Sequence, residues 1–138
     1  MFTPKRTKHK KSQKGRSLSR VFEGSGTLLE NGTVGLKSTE VSRITSRQIE
    51  SARRVLLRYI SKGGKIWIRV FPYKPVTKKP PEVTMGIGKG DIDHYIFEIK
   101  PGRIIYELGG LSTEKAVEAL TQASHKLPFN TKIVKKED

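Results

Sequence analysis

Apolar positions along the chain follow a helical period in two stretches, a strand-like pattern in several others, and no period in the rest. After Thr45, the residues Ile49, Ala52, Leu56, Tyr59 and Ile60 recur at helical spacing and make one apolar stripe. Thr45 and Gln48 form a capping box at its start, where hydroxyl and amide satisfy backbone donors of the first turn. Gly63-Gly64 is the predicted end of this helix, since both residues tolerate the left-handed conformation. At about 100° per residue, Arg47, Arg54 and Arg58 fall in a narrow sector opposite the stripe. The helix thus buries one side and offers guanidinium groups, suited to bidentate phosphate contact and base stacking, from the other.

Lys65 to Phe71 is rich in β-branched and aromatic residues and predicts a strand. Ile66, Ile68 and Val70 share its core face, while Trp67, Arg69 and Phe71 share the other, as core edge or as a stacking platform for a base. Thr27 to Glu30 and Thr33 to Leu36 flank Asn31-Gly32, the signature of a short hairpin. Tyr95 to Lys100 and Arg103 to Leu108 flank Pro101-Gly102, which suits a type II turn, so these strands are expected to pair. A second helix is predicted from the N-cap Ser112, with Ala116, Leu120, Ala123 and Leu127 facing the sheet and Pro128 as its stop. Thr131 to Val134 adds an edge strand. The fold class is therefore α+β: a mainly antiparallel sheet with two helices packed on it.

Residues 72–94 lack periodicity, and structureless loops longer than ~15 residues are usually functional. Pro72, Pro75, Pro80 and Pro81 stiffen the first part while Lys74, Lys78 and Lys79 keep it cationic. Gly86, Gly88 and Gly90 let the backbone of the second part approach a phosphate, with Lys89 supplying charge. A nucleotide-binding phosphate loop would need Ser or Thr after Lys89, where Gly90 stands, and the glycine spacing is not that of a dinucleotide fingerprint. Asp91, Asp93 and His94 have neither a nucleophile nor a completing carboxylate motif and are expected to be ordinary loop residues. No catalytic residue, metal or cofactor is expected.

Charge supplies the partner. Residues 1–22 hold eight Lys or Arg and no Asp or Glu. Such a segment cannot bury enough surface to offset its ordering entropy, so a disordered arm is expected until a polyanion organises it. Lys5, Arg6, Lys8, Lys10, Lys11, Lys14, Arg16 and Arg20 would each release counterions on neutralising RNA phosphates. The alternatives are a solvated tail and a mitochondrial presequence, though Phe2, Leu18, Val21 and Phe22 are too sparse for an amphipathic face. From Arg43 to Pro81, eleven basic residues face the single acid Glu50, so arm and middle are expected to serve one surface. Residues 23–138 then form a single domain carrying the functional loop 72–94. The chain has no Cys, which excludes disulfides and zinc ribbons, and no apolar run near the ~20 residues of a membrane span. An intracellular or organellar protein with no membrane partner and no small-molecule substrate is expected. A transient RNA chaperone or translation factor is the alternative to a stable ribonucleoprotein component.

Several segments carry a specific resemblance. Pro4-Lys5-Arg6-Thr7-Lys8, the run from Ile44 to Arg54, the run from Gly64 to Pro72, Lys78-Lys79-Pro80, Pro101-Gly102-Arg103-Ile104 and Lys126-Leu127-Pro128 resemble the universal ribosomal protein family numbered sixteen in the bacterial large subunit. The resemblance covers nearly the whole chain. It implies a non-catalytic α+β domain packed into ribosomal RNA and against neighbouring ribosomal proteins, near the aminoacyl-tRNA site and the peptidyl-transferase centre, in a bacterial cytoplasmic or an organellar ribosome. It implies that Lys5, Arg6, Lys8 and Lys10 thread between rRNA helices; by their charge, Lys11, Lys14, Arg16, Arg47, Arg54, Arg58 and Arg69 are expected as further rRNA contacts. It also implies that the loop bearing Lys78, Lys79, Pro80, Thr84, Met85, Gly86, Gly88, Lys89 and Gly90 faces the acceptor arm of tRNA. The chain departs from the family at the loop tip, where Thr84 and Ile87 stand at positions commonly Arg and Lys, and after Phe71-Pro72, where Tyr73 replaces a common Asp.

Overall fold

The computed structural model of the protein describes residues 2–6, 8–13, 22–60 and 63–136. The element order is β1 (Val34–Ser38), β2 (Ser42–Thr45), α1 (Ser46–Tyr59), β3 (Lys65–Ile68), β4 (Lys74–Thr77), β5 (Ile92–Ile99), β6 (Ile104–Gly109), α2 (Thr113–Ser124) and β7 (Thr131–Lys135). The class is α+β, but the strands make two antiparallel sheets instead of one. Sheet A has the order β3-β6-β1-β7 and sheet B the order β2-β5-β4.

Both helices start where their caps predict. Thr45 accepts from Gln48 N at 3.3 Å while its own N–H donates to Gln48 Oε1 at 2.9 Å, and Ser112 caps α2. α1 ends at Tyr59, ahead of the glycines expected to stop it: Ile60 turns extended and its N–H reaches Leu57 O at 3.3 Å. α2 ends at Ser124, four residues before Pro128, in a tighter turn where Lys126 and Leu127 donate to Ala123 O and Ser124 O. The helices pack on one another, α1 also against β2 and β5, α2 also against β1 and β7. Ile49, Ala52, Leu56, Ala119, Leu120 and Ala123 meet Leu36, Ile44, Ile99 and Leu108 in one core. Tyr106 is fully buried in β6, and its hydroxyl donates to Ile49 O at 2.6 Å, fastening sheet A to the first turn of α1.

Two predicted hairpins do not form. The turn at Pro101-Gly102 is present, with Gly102 at φ +98° and Arg103 N donating to Lys100 O at 3.2 Å. The strands on either side part, however: β5 joins sheet B and β6 joins sheet A. The end of β1 is responsible, because Ser38 accepts from Gly102 N and donates to Arg103 O, both at 2.8 Å. The turn is thus a crossover between sheets. At Asn31-Gly32 neither residue has positive φ, and β1 pairs with β6 and β7 instead of residues 27–30. Glu107 competes successfully for this segment: its Oε1 accepts from the N–H groups of Glu30, Asn31 and Gly32 at 2.8, 3.2 and 3.3 Å. Gly32 serves a different need, since a Cβ there would come within 2.6 Å of Leu108 O.

Residues 72–94 are also more ordered than expected. Lys74–Thr77 pairs with β5, with Pro75 on an edge strand, where its missing N–H is tolerated. The unpaired loop shrinks to residues 78–91, and Asp93 and His94 belong to β5. The described arm residues, 2–6 and 8–13, have neither helix nor strand, yet they lie on the domain: the Phe2 ring meets Phe71 edge-to-face at 6.5 Å. Residues 14–21, among them Lys14, Arg16 and Arg20, lie outside the described residues, so the expected disorder of the arm is not decided there.

Candidate nucleic-acid interface

Sheet B organises the basic groups. Alternation puts Arg43 and Thr45 of β2, His94 and Ile96 of β5, and Lys74 and Val76 of β4 on one face, since Thr45 pairs with Ile96, Lys74 with Ile96, and Arg43 with Glu98. Lys74 forms an ion pair with Glu98. Arm and loop meet over this face: Lys89 Nζ donates to Ser12 O at 2.5 Å, and Lys11 Nζ donates to Lys89 O at 3.2 Å. The hollow beneath is lined by Ser12, Arg43, Lys74, Lys89, His94 and Ile96. Lys11 and Lys89, far apart in sequence, therefore belong to one cationic ridge.

A second groove joins helix and loop. Thr45, Ser46 and Arg47 at the start of α1 face Lys78, Asp93, His94 and Tyr95 across it. His94 Nδ1 lies 2.7 Å from Asp93 Oδ2. Arg47, Arg54 and Arg58 all have exposed side chains along α1, spanning about 16 Å of helix axis at ~1.5 Å per residue. Glu50 sits among the arginines: Arg53 Nε donates to its Oε2 at 2.8 Å and Arg54 Nε to its Oε1 at 3.3 Å. The Arg53 hydrogen bond, aided by Arg54 and opposed by partial burial, holds the Glu50 carboxyl down to about 2. Among the described residues, neither Arg47 nor Arg58 has an acidic partner.

The other site residues divide clearly. Lys5, Arg6, Lys8 and Lys10 are exposed on the arm, and Lys78, Pro80, Thr84, Met85, Gly86, Gly88 and Lys89 are exposed on the loop, with Lys79 and Gly90 partly covered. Gly86 and Gly88, at φ +93° and +90°, shape the tip, where Met85 and Ile87 are 83% and 76% exposed. Arg69 goes elsewhere. Its guanidinium donates to Glu107 Oε2 at 2.7 Å and to Leu28 O at 3.2 Å, so it is directed into the domain. Burial raises the Glu107 pKa, but Arg69 and the three backbone donors outweigh that and hold it below the usual carboxylate range. Trp67 lies over Gly109, where a Cβ would come within 2.9 Å of its ring, so it is half-buried packing.

Sequence reasoning counted Arg43 and Lys74 among the basic residues of the middle of the chain without placing them in a site, and it took His94 for an ordinary loop residue although His94 lines both grooves. Nothing local brings Lys74 and His94 together, because they converge only through the pairing of β4 with β5. Arg103 lies over the Phe97 ring at 5.0 Å and donates to Arg69 O at 2.9 Å. Among the described residues no group of His, Asp or Glu is arranged to hold a metal ion. The arrangement offers many cationic donors on an extended surface, the chemistry of phosphate contact.

Known proteins resemble the chain over nearly its whole length. Residues 4–134 match the family model for ribosomal protein L16p/L10e. The chain is 56% identical over 136 residues to the large ribosomal subunit protein uL16 of Psychrobacter arcticus, covering 99% of this chain and 98% of that protein. Identity and coverage are the same against uL16 of Psychrobacter cryohalolentis. The match runs through both helices, the loop and every strand but the last residue of β7: the chain belongs to the ribosomal protein L16p/L10e family, a family of structural ribosomal proteins and not of enzymes.

Proposed function

We propose that this chain is a built-in component of the large ribosomal subunit that binds rRNA through its arm and α1 and directs loop 78–91 toward the acceptor arm of tRNA at the aminoacyl site. Its relatives are bacterial, so the ribosome concerned is that of the bacterial cytoplasm. The observation that carries the RNA reading is the convergence of arm, helix and loop cations around sheet B, with Lys11 bonded to Lys89 and Arg47 facing Lys78 across one groove. Phosphate contacts set position, and recognition rests on RNA shape more than on base sequence. The remaining exposed length of the loop, with its two positive-φ glycines, supports the role of a probe reaching beyond the rRNA-bound body.

Sedimentation of cell lysate through a sucrose gradient, with detection of this chain by mass spectrometry, tests the reading. Stoichiometric presence in large-subunit and monosome peaks that resists moderate salt is expected. A chain that stays at the top, or leaves subunits at modest salt, is instead the transient RNA chaperone or translation factor.

A further inference from the structure

Tyr73 stands just before β4 in the sequence Phe71-Pro72-Tyr73-Lys74-Pro75, with its side chain 55% exposed. Its neighbours Pro72 and Pro75 are buried, and its N–H donates to Ile96 O at 3.1 Å, so the backbone beneath it is fixed. The ring is packed on one side: it meets Phe97 edge-to-face, centroids 5.7 Å apart and planes at 75°. Phe97 in turn carries the Arg103 guanidinium at 5.0 Å. One side of the tyrosine is therefore packed and the other opens into a cleft between the arm and the start of β4.

That cleft is cationic. Arg6, Lys8 and His9 line it from the arm, and among the described residues no acidic side chain lines it, although the Lys74 at its floor is paired with Glu98. An exposed aromatic face beside exposed cations is the arrangement that receives a single-stranded nucleotide, base on ring and phosphate on cation. Because the ring already packs against Phe97, less rotamer entropy opposes the contact than for a free side chain.

We infer that Tyr73 is a stacking site for an unpaired base of RNA, with Arg6 and Lys8 holding the adjoining phosphates. This rests on the rRNA-binding reading above and adds to it a base contact that the helix and loop cations do not supply.

The test uses the full chain and two fluorescently labelled RNA hexamers, oligoadenylate and its abasic counterpart, titrated at one moderate salt concentration. Tyr73→Leu, which keeps an apolar cover over Phe97, is expected to weaken oligoadenylate binding by about tenfold and to leave abasic binding unchanged. Tyr73→Phe should bind as the parent does. Arg6→Ala with Lys8→Ala should weaken both hexamers. Ultraviolet crosslinking of the parent chain to 4-thiouridine-substituted hexamer, read by mass spectrometry, should place the adduct on Tyr73, independently of how well any variant folds. If Tyr73→Leu binds oligoadenylate within twofold of the parent, or crosslinks fall only elsewhere, the stacking site is overturned while RNA binding stands. If neither hexamer nor rRNA is bound at all, the rRNA reading fails and the stacking site with it.

Discussion

Arg69 Nη1 lies 2.7 Å from Glu107 Oε2, and the carboxylate it meets is wholly buried in β6. The other oxygen collects the N–H groups of Glu30, Asn31 and Gly32, so one side chain ties β6 both to the end of β3 and to the segment before β1. A cation that looks available for RNA in the sequence is thereby an internal brace.

Arg69→Ala should therefore act on stability first. It leaves a buried carboxylate with backbone donors only, at a cost of about 3 kcal/mol in chemical denaturation. Glu107→Gln, which keeps shape and one acceptor, should cost about 1 to 2 kcal/mol. An Arg69→Ala variant as stable as the parent but weakened in RNA binding would reverse this assignment.

Acid should destabilise the fold through the two depressed carboxyls. Glu50 and Glu107 both bind protons less readily folded than unfolded, so their contribution is present above the unfolded pKa and lost as pH falls through the folded one. For Glu50 that window runs from about 4.5 down to about 2. Thermal melts between these values should show falling stability, and Glu50→Gln should flatten part of the slope. An unchanged slope would mean that the Arg53 bond does not survive in solution.

At the alkaline end Tyr106 behaves in the opposite sense. Burial, with Glu50 close by, raises its phenol above its ordinary value of 10.0, so its contribution is full below that value and declines as pH rises beyond it. Tyr106→Phe removes the bond to Ile49 O, should cost about 1 kcal/mol at neutral pH, and should remove this alkaline decline. Identical alkaline melts of parent and variant would refute the link.

Replacing Arg47, Arg54 and Arg58 together by Ala should leave the melting temperature nearly unchanged, because all three are exposed. Affinity for large-subunit rRNA should drop, and the log–log salt slope should shrink by roughly 2 to 3, about 0.7 to 0.9 for each phosphate no longer neutralised. Equal slopes would show that this face of α1 points to solvent in the subunit.

Lys78→Ala, Lys79→Ala and Lys89→Ala together should impair tRNA accommodation more than incorporation into subunits. The readouts are occupancy by mass spectrometry and aminoacyl-tRNA affinity of the purified mutant subunits. Lys89→Ala alone should also loosen the arm, since it removes the bond to Ser12 O. Full tRNA affinity in the triple variant would assign these lysines to assembly instead.

Local physics determined much of this protein from its sequence. The capping box at Thr45 and Gln48, the N-cap Ser112, the arginine face opposite Ile49 and Leu56, the Pro101-Gly102 turn and the edge strand at Thr131 all depend on neighbours within a few residues, and each is present. The family was legible for the same reason, in contiguous runs such as Gly64 to Pro72. Partnership between strands was not, because a strand's own pattern fixes which faces it has and leaves open which distant strand satisfies its backbone. Only the tertiary structure decided that Ser38 would claim the Pro101-Gly102 turn and split its flanking strands between two sheets. The same holds for Glu107, which captures the Asn31-Gly32 segment and draws Arg69 inward. Likewise β4, hidden in a proline-rich stretch, exists because β5 supplies its hydrogen bonds, and that pairing brings Lys78, Lys89 and the arm together on one surface.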